Sequence, residues 1–467
     1  MQKLFNDINF LDKRCYDQFE LSEDLLMEHA ANAIAIFISK KFPNKSSVLI
    51  VCGSGHNGAD GIAVARLLQN DFKVKLYLDE HPKSELAKLQ LKRARAVNVT
   101  EVTKVTKVTE SDIIIDALFG SGLNRELEDK HISLLKILNS FNGKKIACDI
   151  PSGLMQDGKL SDATFIADTT ITMGALKKSL YSDNAKNVVG EISVANLGLS
   201  RNIYETDSNW KLLEVDDLKL PHRVEKNAHK GTYGHLSLLC GEKEGAAIIA
   251  AKAALNFGVG LSTLVSHENP QIPYELMKSS TLPKNTSAVC AGMGLGNSFD
   301  SSDLKKILID SDLPLIIDAD LFYMQIITEL MQKKNIVITP HPKEFVSLLN
   351  RLSLSEINVE QLQENRFKYV EIFSEKYPNV VLLLKGANPI IAHNNNFYIN
   401  PHGSNKLSKG GSGDVLSGLI GSLLAQGQET LEATINASLA HTNASNRVNK
   451  NSYALTPNDL INELSWL

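Results

Sequence analysis

Leu407-Ser-Lys-Gly-Gly-Ser-Gly-Asp-Val-Leu-Ser-Gly-Leu-Ile-Gly-Ser-Leu-Leu-Ala-Gln-Gly427 is a glycine turn that runs into an apolar helix. Such a turn exposes backbone N–H groups at the positive end of the helix dipole, which is a phosphate site. Gly411, Ser412 and Gly413 supply the turn, and Asp414 follows. A carboxylate is repelled by phosphate oxygens unless it has a task there. The natural task is to take a proton from a hydroxyl that attacks phosphorus. A plain helix cap by Asp414 is the alternative, and the tetrapeptide alone leaves both open.

Further blocks of the same kind lie upstream. They are His229-Lys-Gly-Thr-Tyr-Gly234, Gly245-Ala246-Ala247, Ala291-Gly-Met-Gly-Leu-Gly296, Ile317-Asp-Ala-Asp-Leu321, Thr339-Pro-His-Pro-Lys-Glu-Phe345 and Leu384-Lys-Gly-Ala387. Several end apolar runs, at the sheet edge where open α/β folds bind ligands. In the first half, Val48-Leu-Ile-Val51 leads into Cys52-Gly-Ser-Gly-His-Asn-Gly-Ala-Asp-Gly61, and a helix is expected over Ile62–Gln69. Ile113-Ile-Ile-Asp-Ala-Leu-Phe-Gly-Ser-Gly-Leu123 and Ala147-Cys-Asp-Ile-Pro-Ser-Gly153 are two more strand ends that carry an Asp before a turn.

Strands are expected near 48–52, 74–78, 112–116, 145–149, 170–173 and 190–198. In the second half they are expected near 235–240, 261–265, 287–291, 315–318, 336–339 and 380–384. An apolar helix is expected over Leu25–Ile38, and Asn394-Asn-Asn396 is read as a turn between strands. Strand–helix alternation means parallel sheets with helices on both faces. The fold class is therefore α/β with two domains, residues 1–205 and 225–467. The polar stretch within 206–224 is read as a linker.

Composition fits two enzyme domains. The chain has 467 residues and a formal charge of −4, which predicts no affinity for nucleic acid or an anionic membrane. No run reaches transmembrane length, and the first residues lack a signal-peptide pattern. Five scattered cysteines without Cys-x-x-Cys spacing suit reduced thiols in a cytoplasmic protein.

Taken in order, the second-half blocks resemble the ribokinase-like NAD(P)H-hydrate dehydratases over about residues 225–465. The first-half blocks look like the NAD(P)H-hydrate epimerases over about 1–205. The resemblance implies a Rossmann-like three-layer α/β/α sandwich followed by a ribokinase-like α/β/α domain. It implies repair of hydrated NADH and NADPH: epimer interconversion by one half, and dehydration at the expense of ADP or ATP by the other. ADP is the nucleotide suggested, with magnesium, and a homo-oligomer is expected.

The resemblance also assigns residues. Hydrate contacts of the dehydratase fall on Ala246, Gly294, His341 and Asp414, with Asp414 as the base. Nucleotide contacts fall on Lys385, Gly386, Ala387, Asn388 and Pro389, and on Gly411, Ser412 and Gly413 within Asn405–Asp414. Hydrate contacts of the epimerase fall on His56, Asn57, Gly58, Ala59 and Asp60, on Gly120, Ser121, Gly122, Leu123, Asn124, Arg125 and Glu126, and on Asp149. Potassium falls on Asn57, Asp116 and Ser152. Inversion at the carbinol carbon needs a proton donor or acceptor, and Asp149 fits that role. Asp318 and Asp320 are read as acting through Mg²⁺, bonding loop backbone, or capping a helix. Ala59 departs from the glycine more usual in the family. If that position needed a left-handed backbone, its Cβ would cost about 1 kcal/mol.

A rival reading is a small-molecule kinase fused to a non-catalytic dinucleotide-binding module. The Thr-Pro-His-Pro block and the presence of Asn57, Asp116, Asp149 and Ser152 argue against it.

Overall fold

A computed structural model describes residues 1–108 and 110–467. The chain forms two compact units, Lys3–Trp210 and Lys211–Leu467, the latter joined by Met1–Gln2.

The first unit is built on a parallel sheet. Its order is Thr100–Val102, Lys73–Leu78, Ser47–Cys52, Ile113–Ala117, Lys144–Cys148, Thr169–Met173 and Glu191–Ala195. Ile113–Ala117 is buried along its whole length, as a strand covered on both faces must be. Alternate residues feed opposite cores. Val48, Ile50, Ile113 and Ile115 join the helices Asn9–Phe19, Glu23–Lys41, His56–Leu68 and Glu85–Ala96. Leu49, Val51 and Ile114 join Leu134, Leu135 and Leu138 of the helix Asp129–Ser140. This period-two division gives three layers.

The expected helix over Ile62–Gln69 instead begins at His56. Glycines hide this start, because their role is close packing. A Cβ on Gly61 would lie 2.6 Å from both the Ala117 Cβ and the Cys52 Sγ, and one on Gly58 would lie 2.0 Å from the Gly53 carbonyl oxygen. The helix therefore sits directly on the sheet. Ala59 is a helical residue, fully buried beside Met27 and Ala87, so it carries no left-handed strain. The helix Asn9–Phe19 and the strands Gln2–Phe5, Thr100–Val102 and Leu176–Lys177 lie outside the sequence expectations.

The second unit has the sheet order Met277–Ser279, Leu261–Val265, His235–Leu239, Ala288–Ala291, Leu315–Ile317, Ile336–Ile338, Val380–Leu384, Ile390–His393 and Asn396–Ile399. The first seven strands are parallel. The last two are antiparallel, in accord with the turn expected between strands at Asn394–Asn396. Asn394 and Asn395 join them at φ of 48° and 54°, the left-handed pair that a tight hairpin demands and asparagine tolerates. Leu236, Leu238, Cys290, Ile316 and Val337 pack against the helices Glu244–Asn256, Ser412–Ala425, Thr430–Arg447 and Pro457–Leu464. Within the stretch expected as a linker, Trp210–Leu212 is a strand and Val215–Asp217 a 3-10 turn.

No described helix is long and apolar enough to cross a membrane. All five cysteines are buried and free. Burial pushes the Cys52 and Cys148 thiols well up, which suits packing rather than nucleophilic roles.

Candidate active sites

In the first unit the strand ends open into a cavity of about 830 Å³. Of the residues singled out in the sequence, His56, Asn57, Asp60, Gly120–Arg125 and Asp149 line it. Gly58 and Ala59 are buried behind the wall. Glu126 does not line it, and its carboxylate lies 3.7 Å from the Lys159 ammonium. Sequence reasoning missed a further part of the wall, formed by Ile8 at the cap and Asn9, Asp12 and Tyr16 of one helix and by Glu23, Leu26, Met27 and Ala30 of the next. Asp12 accepts a hydrogen bond from the Tyr204 hydroxyl at 2.7 Å.

Asp149 ends the strand Lys144–Cys148 with φ of 70°. Its Oδ2 accepts from Ser121 N at 3.2 Å. Its Oδ1 accepts from Met173 N at 3.1 Å, Thr172 Oγ1 at 3.3 Å and Lys177 Nζ at 2.5 Å. Lys177 is only 1% exposed and also donates to Thr172 Oγ1 and to the Met173 carbonyl. Burial alone would raise the Asp149 carboxyl. The Lys177 charge and these donors outweigh it and hold the group below its usual range. Lys177 gives no sequence signal: its partner lies 28 residues away and its neighbour is another lysine.

Asp116 is fully buried. It accepts from Ser152 N and Ser152 Oγ, both at 2.7 Å, and from Leu118 N at 3.2 Å. Burial pushes it up to about 6 against those bonds. Asn57 is 9% exposed, and among the described residues its Oδ1 and Nδ2 have no partner. A buried orphan amide oxygen and a buried carboxylate that has no cationic partner among the described residues are oxygen donors of the kind a hard monovalent cation takes. Zinc would want nitrogen or sulfur.

In the second unit, Gly411 caps the helix Ser412–Ala425 at φ of 87°. A Cβ there would meet Pro457 Cγ at 2.5 Å, so glycine is required twice over. The cap is thus Gly411, and Asp414 stands in the first turn with its side chain free of capping. Burial, with Asp318 adding and Lys385 opposing, lifts Asp414 to about 6. Lys385 Nζ lies 3.3 Å from where a Gly413 Cβ would sit. It pairs with Asp318 Oδ1 at 2.7 Å, and Asp318 Oδ2 accepts from Ser417 Oγ at 2.8 Å. Asp320 accepts from Gly296 N at 3.0 Å. Bonding to loop backbone therefore describes Asp320, whereas Asp318 is a lysine partner, and neither side chain caps a helix.

The remaining assigned residues converge on the same edge. Lys243 N donates to Gly294 O at 3.0 Å, which joins the Gly294 turn to the start of the helix that carries Ala246. Ile249 of that helix comes within 3.2 Å of the position a Gly411 Cβ would take. Lys385 N donates to Pro340 O at 2.9 Å, tying the Lys385–Pro389 segment to His341. His341 Nδ1 accepts from Lys343 N and Glu344 N, so its ring proton resides on Nε2, 3.2 Å from Glu344 Oε1. Glu344, which lies in the Thr339–Phe345 block but was given no role from the sequence, is buried and pushed up to about 7. Arg366, also unforeseen, donates from the interior to the Leu384 and Lys385 carbonyls. The His229 block forms an exposed 3-10 turn, Lys230–Tyr233.

Both halves match known families. The NAD(P)H-hydrate dehydratase family matches residues 236–465, and the family described as YjeF-related protein N-terminus matches 23–179. The bifunctional NAD(P)H-hydrate repair enzyme Nnr of Helicobacter pylori is 42% identical over the full length of both chains. The chain belongs to the bifunctional NAD(P)H-hydrate repair enzymes. The Coxiella burnetii member is 32% identical over 91% of each chain. Among solved structures, the ADP/ATP-dependent NAD(P)H-hydrate dehydratase of Bacillus subtilis, co-crystallized with ATP/Mg2+, is 26% identical. It covers 53% of this chain and 93% of its own, with a TM-score of 0.45. Family membership joins the two sites described above in one enzyme.

Proposed function

We propose that the chain repairs hydrated NADH and NADPH, with residues 1–205 interconverting the R and S epimers and residues 225–467 dehydrating the S epimer. Residues 206–224 connect the two activities. Full-length identity to the Helicobacter pylori repair enzyme carries this reading.

Dehydration must remove a hydroxyl from C6, and hydroxide leaves poorly. Asp414 takes the hydroxyl proton as the oxygen attacks the terminal phosphorus of ADP or ATP. The bond from that phosphorus to the bridging oxygen breaks, and AMP or ADP departs. The N–H groups of Gly411–Gly413 and the Lys385 charge face the transferred phosphoryl group. Phosphate then leaves C6 with the bonding pair, the C5 proton passes to water, and the C5–H pair becomes the C5=C6 bond of the reduced nicotinamide. Magnesium enters with the nucleotide as part of the substrate.

In the epimerase half, Asp149, expected from the sequence as the proton donor or acceptor at the carbinol, already accepts four donors and is read as presenting a charge to the carbinol carbon, and the Gly120–Arg125 loop borders the bound hydrate. Asn57, Asp116 and Ser152 are the residues that would hold potassium. The ion supplies a positive charge that offsets Asp116 against the hydrate's diphosphate. The protein is further proposed to be cytoplasmic and homo-oligomeric.

The test is racemic hydrate given to the full chain with ADP or ATP. Both epimers are expected to return as reduced-nicotinamide absorbance with stoichiometric free phosphate. Release of a stable phosphorylated metabolite instead would favour the kinase reading.

A further inference from the structure

Besides Asp149, Asp12 and Glu23, the cavity of the first unit carries a carboxyl group, Asp60, for which the resemblance gives a hydrate contact but no chemical step. Asp60 lies on the helix His56–Leu68 and lines the same cavity as Asp149 and Asp12. It differs from both in its bonding. Asp149 already accepts four donors, one of them the Lys177 ammonium. Asp12 accepts the Tyr204 hydroxyl. Asp60 has no hydrogen-bond or ion-pair partner among the described residues.

We propose, resting on the epimerase reading of this unit, that Asp60 is the proton-transfer group of the inversion at C6, and that the Asp149–Lys177 pair is its fixed electrostatic counterpart. A carboxylate saturated by donors is a weak base and has no proton to give. An unpartnered carboxyl facing the cavity is free to exchange one. Burial pushes the Asp60 carboxyl well up. Asp149, Asp12 and Glu23 add to that, and Lys177 opposes it. It enters the reaction as the neutral acid.

The hydrate's C6 bears both a hydroxyl and N1, so it opens as a carbinolamine. Asp60 gives its proton to the hydroxyl oxygen. The C6–O bond breaks and its electron pair leaves with water, while the N1 lone pair forms N1=C6. The ring is now a cation with a flat C6, and the ionised Asp149 stabilises it. A second water, from solvent, adds to the opposite face. Its oxygen forms the new C6–O bond, the N1=C6 pair returns to N1, and the surplus proton passes through the expelled water to the Asp60 carboxylate. One water leaves and one enters, and the protein ends as it began.

The experiment uses the full chain without nucleotide, so that dehydration does not run. A single-epimer hydrate is followed by NMR in ¹⁸O-water, and hydrate affinity is titrated separately. The unmodified chain should take up one solvent oxygen per inversion. Asp60→Asn should slow inversion by about 10²-fold or more with a much smaller loss of hydrate affinity, and Asp60→Glu should recover part of the rate. Inversion without oxygen uptake, or Asp60→Asn at more than a third of the parent rate, overturns the proposal. If Asp60→Asn loses hydrate binding through misfolding, the oxygen label and Asp60→Glu decide: no label uptake, or a Glu variant that binds hydrate yet loses affinity and rate in the same proportion, overturns it. Failure of the unmodified chain to invert the hydrate would refute the epimerase reading itself.

Discussion

Each unit places an aspartate and a lysine at the same kind of strand-end site, yet the pairs are wired differently. In the first unit the lysine bonds the central aspartate itself: Lys177 donates to Asp149 and holds it ionised. In the second, Lys385 pairs with Asp318 at 2.7 Å, and burial and the Asp318 charge, only partly offset by Lys385, raise Asp414 to about 6. The difference matches the two chemistries. A fixed negative charge suits a cation formed at C6. A base that must accept a hydroxyl proton gains from a pKa nearer neutrality. On the proposed roles, the carboxylate that moves a proton is in each unit the one not paired with the lysine.

The largest effect expected from breaking this wiring is at Asp414. Asp414→Asn is nearly isosteric and removes the base, so dehydration should fall by about 10²- to 10⁴-fold. Epimer interconversion should persist, since the first unit has its own loops. Reduced-nicotinamide recovery from the S epimer, beside NMR exchange of the epimers, checks both halves of the statement. Dehydration above a tenth of the parent rate removes Asp414 from the base role.

Next comes Lys177→Met. The ammonium is 1% exposed and its loss strands a buried carboxylate, which costs about 3–5 kcal/mol. Denaturant unfolding should show the lowered stability in the transition of the first unit. Methionine fills most of the volume, so a packing loss alone would cost much less. Asp149→Asn in the same chain should give most of the lost stability back, because no unpaired charge then remains.

These two residues also mark what the sequence made legible. Asp414 stands in a turn whose glycines, helix and strand context all lie within about twenty residues of chain. The site strands were equally plain, being continuous apolar runs that end at Asp116, Asp149 and Asp318. Lys177, Glu344 and Arg366 were not, because each acts through a partner or a burial that only tertiary structure creates. The helix Asn9–Phe19 was hidden for another reason. It buries only Leu11 and Cys15 and its cap residue, Ile8, makes no side-chain bond, so neither periodicity nor capping announces it. The helix at His56 was masked by glycines that elsewhere signal a loop.

A smaller effect is expected from Asp116→Ala. Under the potassium reading, loss of this carboxylate removes the cation and its support of the diphosphate. Hydrate affinity should weaken about tenfold, the scale of one lost metal-supported contact, and any potassium dependence of epimerisation should vanish. Exchange of potassium for a large organic cation, with hydrate binding titrated in each salt, provides the check. Wild-type affinity with a wild-type potassium response would return Asp116 to anchoring Ser152 and the Leu118 turn.

The smallest effect tests the comparison most directly, because it rewires the second unit toward the first. Asp318→Asn removes the like charge that helps to raise Asp414 and releases Lys385 from its 2.7 Å pair. Both changes favour the ionised form of Asp414, so its pKa should fall. Dehydration requires that form, and activity is therefore lost as pH drops through the folded-state pKa of about 6. In the variant the acid limb of kcat/KM should move to lower pH by about 0.5–1 unit. The rate on the plateau should also fall somewhat, since a base with a lower pKa is weaker and Lys385 is less firmly held. A pH profile separates the two effects, because loss of positioning alone lowers the plateau without moving the limb. An unmoved limb would mean that burial by itself sets Asp414, and that Asp318 serves only to hold Lys385 and Ser417 in place.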